Sequence, residues 1–92
     1  MDKKTSALPD KDIRERIMRA FYDAYMEHGL NVVLMGGEIA QRLSINDPAQ
    51  VRRNFDYLAA KQLIRPMTLG GGYAPTVELV DLMEQAGRRR RA

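Results

Sequence analysis

The chain has no cysteine and no tryptophan, a single histidine, and no apolar run long enough to span a bilayer. Without cysteine there are no disulfide staples, no thiolate metal ligands and no thiol nucleophile, and a reducing compartment suits the composition. One histidine and carboxylates without metal-ligand spacing leave neither a zinc-type centre nor the usual parts of a nucleophilic site. The expectation is therefore a non-enzyme with no cofactor and no metal. The opening segment lacks a hydrophobic signal core, so a cytoplasmic protein with no membrane attachment is expected.

What is present fits one small domain. At 92 residues the chain can bury only a modest core, so every periodic apolar segment should belong to one nucleus. The formal net charge is +3, but four terminal arginines, Arg88 to Arg91, carry +4, and residues 1–87 hold 11 basic against 12 acidic groups. The body is thus close to neutral, and only distribution can be informative. Between Val51 and Tyr73 the charges are Arg52, Arg53, Lys61 and Arg65 against Asp56 alone, whereas the last amphipathic segment carries Glu78, Asp81 and Glu84.

Along the chain, a polar leader over residues 1–9 gives way to a helix capped at Asp10 and stopped by Gly29. Ile13, Ile17, Ala20, Phe21, Ala24 and His28 form its core-facing stripe, which gives His28 a packing role. A second apolar flank, Met18, Tyr22, Tyr25 and Met26, exceeds what one core contact requires. Val32 to Met35 is β-favouring and too short for a helix, and Gly36-Gly37 ends it. Ile39, Ala40 and Leu43 then recur at helical spacing, as do Val51, Phe55 and Leu58 after Asp47-Pro48, an N-cap followed by proline at the first helical position. Leu63 to Met67 and Tyr73 to Pro75 flank a glycine tip, which reads as a short hairpin. Thr76 caps a last helix with Leu79, Leu82, Met83 and Ala86 on one face, ended by Gly87. The domain is expected over residues 10–87, with a basic tail over 88–92.

This element order, helix, strand, helix, turn, helix, hairpin, helix, resembles the winged helix-turn-helix superfamily. Glu38-Ile39-Ala40, Leu43, Val51, Phe55, Leu58 and Leu63-Ile64 are similar to a pattern found in its bacterial and archaeal transcriptional regulators. The resemblance implies an α+β, mostly helical fold: a three-helix core, a short strand, a two-stranded wing and a C-terminal helix. Two departures stand out: a turn one residue longer than common, and Gln62 where glycine usually ends the second helix. The function implied is sequence-specific binding of double-stranded DNA for transcription regulation, with the helix over residues 48–61 in the major groove.

With Val51, Phe55 and Leu58 facing inward, the outward arc of that helix holds Ala49, Gln50, Arg52, Arg53, Asp56, Tyr57 and Ala60. Arginine can pair bidentately with guanine and glutamine with adenine, so Gln50, Arg52, Arg53 and Tyr57 are the expected contacts, with Lys61, Arg65 and the tail on phosphates. The plain alternative for Arg52 is a solvated pair with Asp56, four residues on. The Gly70-Gly71-Gly72 tip bears no basic side chain and no G-K-[ST] sequence follows it, which excludes a phosphate-cradling catalytic loop. Met18, Tyr22, Tyr25 and Met26 are the expected surface of a homodimer, since palindromic sites need two readers. The competing reading is a winged-helix module that binds another protein, using the flank of the first helix or the acidic last helix.

Overall fold

The structure, a computed structural model, describes the backbone of residues 8–91 and the side chains of residues 8–87. Most of the expected leader lies outside the described residues, and so do the side chains of the arginine tail. The fold is α+β and mostly helical: α1 (Asp10–His28), α2 (Gly36–Arg42), α3 (Pro48–Ala60), β1 (Ile64–Pro66), β2 (Tyr73–Pro75) and α4 (Val77–Arg91). β1 and β2 pair antiparallel, Arg65 opposite Ala74. Leu34 adds a single bridge to Tyr73, with both N–H to O bonds formed at 2.8 and 2.9 Å. The short apolar run before α2 thus serves as a third rung beside the hairpin.

One core joins all the elements. Ile13, Ile17 and Phe21 of α1 meet Ile39, Phe55, Leu58, Ile64 and Leu79, every one at most 2 % exposed. Phe55 is central to it. Its ring meets Phe21 edge-on at 6.1 Å and Tyr73 at 4.9 Å, linking α1, α3 and the hairpin.

Local chemistry sets the helix ends. Asp47 Oδ1 accepts the N–H of Ala49 at 3.1 Å and of Gln50 at 3.4 Å, which starts α3 at Pro48. Thr76 Oγ1 accepts from Leu79 N and donates to the carbonyl region of Gln62 and Leu63, so one hydroxyl caps α4 and ties it to the end of α3. α2 and α3 close with the same left-handed motif. Ser44 (φ 59°) and Gln62 (φ 65°) are the turning residues, and the following N–H groups of Ile45 and Leu63 reach back to Ala40 O and Leu58 O.

Gln62 therefore adopts a left-handed backbone conformation, which glycine favours. A left-handed residue with a Cβ is strained by about 1–2 kcal/mol, and glycine costs about 0.5–1 kcal/mol of entropy, so Gln62→Gly should raise stability by roughly 0.5–1 kcal/mol. A urea midpoint that falls in the variant would show that the side chain, not the backbone, is what matters there.

Gly72 is buried for a different reason. A Cβ there would run into Val33 Cγ1 and stand 3.1 Å from the Leu34 carbonyl oxygen, so the hairpin can approach the residue 32–35 segment only through glycine.

Three expectations are corrected. Asp10 does not cap α1: Pro9 occupies that position without a side-chain bond, and the Asp10 carboxylate turns toward α3. His28 does not pack. Its side chain is 61 % exposed beside Glu27, because α1 has left the core by its last turn. Gly87 does not stop α4, which continues to Arg91; one interior glycine costs only about 1 kcal/mol.

Candidate nucleic-acid interface

Pro48 as first residue and Phe55 and Leu58 as buried anchors fix the rotation of α3 about its axis. The opposite arc follows. Ala49, Arg52, Arg53, Asp56, Tyr57 and Ala60 are all exposed, whereas Gln50 is half-buried. Among the described residues Arg52 makes no ion pair or side-chain hydrogen bond, so the solvated pair with Asp56 is not formed.

The flank of α3 facing α1 is organised by a carboxylate from the other helix. Asp10 accepts Arg53 Nε at 2.8 Å on Oδ2 and Arg53 Nη2 at 3.0 Å on Oδ1. It also accepts Gln50 Nε2 at 3.0 Å and Asn54 Nδ2 at 3.3 Å. The Gln50 amide donates again to the Leu8 carbonyl at 2.8 Å. Both Gln50 donors are thereby engaged inside the protein, and its expected place on the outward arc is corrected.

Asn54 belongs to no motif in the sequence, yet at 1 % exposure it is the buried polar centre of this cluster. Its Nδ2 also donates to Gln50 O at 2.8 Å, and its Oδ1 accepts Arg14 Nη1 at 3.2 Å. Arg14 in turn lies over the Tyr57 ring, 4.1 Å from the centroid, with Lys61 Nζ 6.0 Å from the same ring. The sequence signal was a polar residue flanked by apolar anchors, between Val51 and Phe55. Helical spacing placed it inward, and a buried amide needs partners.

Hydrogen bonds from Arg53, then Gln50 and Asn54, hold the Asp10 carboxyl well below the usual carboxylate range. Its folded value is thus below its unfolded value of about 3.9. The stabilisation is full above about pH 4 and is lost as pH falls through the range below it. Asp10→Asn should therefore be less stable than wild type at neutral pH, with the gap in thermal midpoint closing under acid. A gap that is constant down to about pH 2 would contradict the pairing.

The other expected site residues are dispersed. Arg65 donates from Nη2 to Leu30 O at 3.4 Å, beside the connection after α1 and away from the Asp10 cluster. On the second flank of α1, Met18 and Met83 of α4 are half-buried against the same core. Tyr22 Oη donates to Glu84 Oε2 at 3.3 Å, and its hydroxyl is pushed up by desolvation first and the Glu84 charge second. Tyr25 leans on Tyr22, ring centres 6.1 Å apart, and only Met26 stands well clear, at 64 % exposure. Much of the surface expected to receive a second copy is therefore taken by α4.

Beside Arg52 runs an open groove between α2 and α3, of about 580 Å³, whose apolar lining includes Ala40, Ile45, Val51, Phe55 and Tyr73. Among the described residues no group of three carboxylate, histidine or cysteine side chains could hold a metal ion, and no helix is long and apolar enough to cross a membrane. Comparison with protein families, curated proteins and solved structures finds no match to the chain.

Proposed function

We propose that this is a winged helix-turn-helix protein that binds double-stranded DNA by laying α3 in the major groove, and so regulates transcription. The observation that carries the reading is the uncovered arc of α3, with Arg52 unpaired among the described residues at the N-terminal half of a helix whose start is fixed by Asp47. The order of helices and hairpin and the Leu34–Tyr73 bridge are compatible with such a fold and support the reading. A helix with side chains is about 10–12 Å across and the major groove about 12 Å wide, so an arc free of neighbouring elements is what docking needs.

In this reading Arg52 reads a base edge, Ala49 approaches a thymine methyl, and Lys61 with Arg14 faces phosphates from the Tyr57 side. Gln50 drops out of the reading set. The wing contributes little charge: Leu69 at its tip is 90 % exposed and apolar. With few phosphate contacts per chain, two copies on a two-fold site would strengthen binding, and Met26 is the exposed member of the flank expected for that homodimer.

A module that binds protein instead of DNA is favoured by one feature, the apolar groove next to Arg52. Fluorescence anisotropy on mixed-sequence duplexes across a salt series separates the two. Arg52→Ala should weaken binding to a selected duplex by about 1–3 kcal/mol. Binding that ignores Arg52 and disappears only when the chain is cut after Gly87 would mean the helix is not a reader.

A further inference from the structure

The Asp10–Arg53 pair carries an inference that rests on the DNA reading and refines it. A guanidinium has five N–H donors in one plane. Arg53 gives Asp10 two of them, from one side of the fork, through Nε and Nη2. The far edge, made by Nη1 and the second Nη2 proton, has no partner among the described residues, and the side chain is 56 % exposed. Those two parallel donors match the O6 and N7 acceptors of guanine.

The brace itself is firmly held. Asp10 belongs to the first turn of α1, anchored by Ile13 N on Pro9 O at 3.1 Å, and Gln50 and Asn54 donate to the same carboxylate. Hydrogen bonding keeps it ionised, so the brace persists throughout the neutral range.

We infer that Asp10 is a positioning residue for base reading by Arg53: it grips one edge of the guanidinium so that the other faces a guanine, and its charge offsets the attraction of that arginine to phosphates. An unbraced arginine loses rotamer entropy on reaching a base and binds any phosphate it meets. The brace reduces both, so discrimination rises while sequence-independent affinity falls. Arg52, one residue earlier, has no brace and contributes to both.

The test is selection from a pool of randomised duplexes by the full chain, Asp10→Asn and Arg53→Lys, with affinity for one fixed unrelated duplex measured across a salt series. Wild type should enrich a site containing a guanine preferred by roughly 5- to 100-fold. Arg53→Lys, which keeps the charge and lacks the fork, should lose that preference. Asp10→Asn should lose most of it at the same position only, and should bind the unrelated duplex with a salt slope steeper by about one. A merely structural role for Asp10 would weaken all positions together. Should Asp10→Asn fail to fold by circular dichroism, Asp10→Glu, which keeps the charge but displaces the brace, carries the comparison of guanine preference, which should fall at that position while the salt slope stays near that of wild type.

An unchanged guanine preference in the Asp10 variant, or in Arg53→Lys, overturns the inference and leaves DNA binding standing. No enriched site for wild type, together with affinity indifferent to Arg52→Ala, overturns the DNA reading itself and this inference with it.

Discussion

Phe55→Ala should lower unfolding stability by about 3–5 kcal/mol, the range for deleting a buried aromatic ring. Against a total of about 5–15 kcal/mol for a domain of this kind, that is a large fraction. The reason is position as much as size. Phe55 is 2 % exposed and touches rings from α1 and from the hairpin, so its loss leaves a cavity bounded by three elements that cannot all collapse into it. The effect should be local as well as global: with Tyr73 unsupported, the N–H groups of Tyr73 and Leu34, which bond each other's carbonyls, should exchange with solvent faster than those of α1. Phe55→Leu, which keeps most of the volume, should lose much less. Urea unfolding of the three proteins gives the comparison, and an alanine variant within about 1 kcal/mol of wild type would place Phe55 outside the core.

Asn54→Ala should cost about 1–3 kcal/mol despite removing few atoms, because it strips partners from groups that remain. The half-buried Arg14 guanidinium loses its Oδ1 acceptor at 3.2 Å, and Asp10 loses one of the donors that hold it. The expected signature is coupling. Arg14→Ala and Asn54→Ala should not add in a double-mutant cycle, with an interaction of about 0.5 kcal/mol or more. Additive losses would show that the amide serves only its own helix, through Gln50 O. The same variant bears on the proposed DNA-reading face, since Arg14 is also the cation stacked on Tyr57.

Both experiments concern residues of α3, and they mark how differently its two kinds of inward-facing position could be read. Phe55 declared itself through spacing with Val51 and Leu58, as did Ile13, Ile17 and Phe21 on α1. Asn54 sits within the same inward arc, but its partners, Asp10 and Arg14, come from 40 or more residues earlier. No pattern within α3 points to them.

The charged face shows the same division. That Arg53 lies opposite Phe55 and Leu58, and that Arg52 stands on the flank between that face and the core, follows from 3.6 residues per turn. That one of them is braced and the other free depends on α1 bringing Asp10 alongside one flank of α3 and not the other. Likewise, the surplus apolar flank on α1 was visible in the sequence, whereas its occupant, α4 with Met83 and Glu84, was not.

By itself, then, the sequence determined the elements and several of their ends: the stripes that face the core, the Asp47 and Thr76 caps, the Gly70-Gly71 turn of the hairpin. Each rests on interactions that reach no more than about four residues along the chain. Only the tertiary structure decided that Asp10 grips α3 instead of capping its own helix, that Gln50 turns inward, that His28 stands in solvent and that α4 covers Met18 and Tyr22. Those outcomes depend on how the helices cross, and a long polar side chain near a crossing takes whichever partner the crossing places within hydrogen-bond reach.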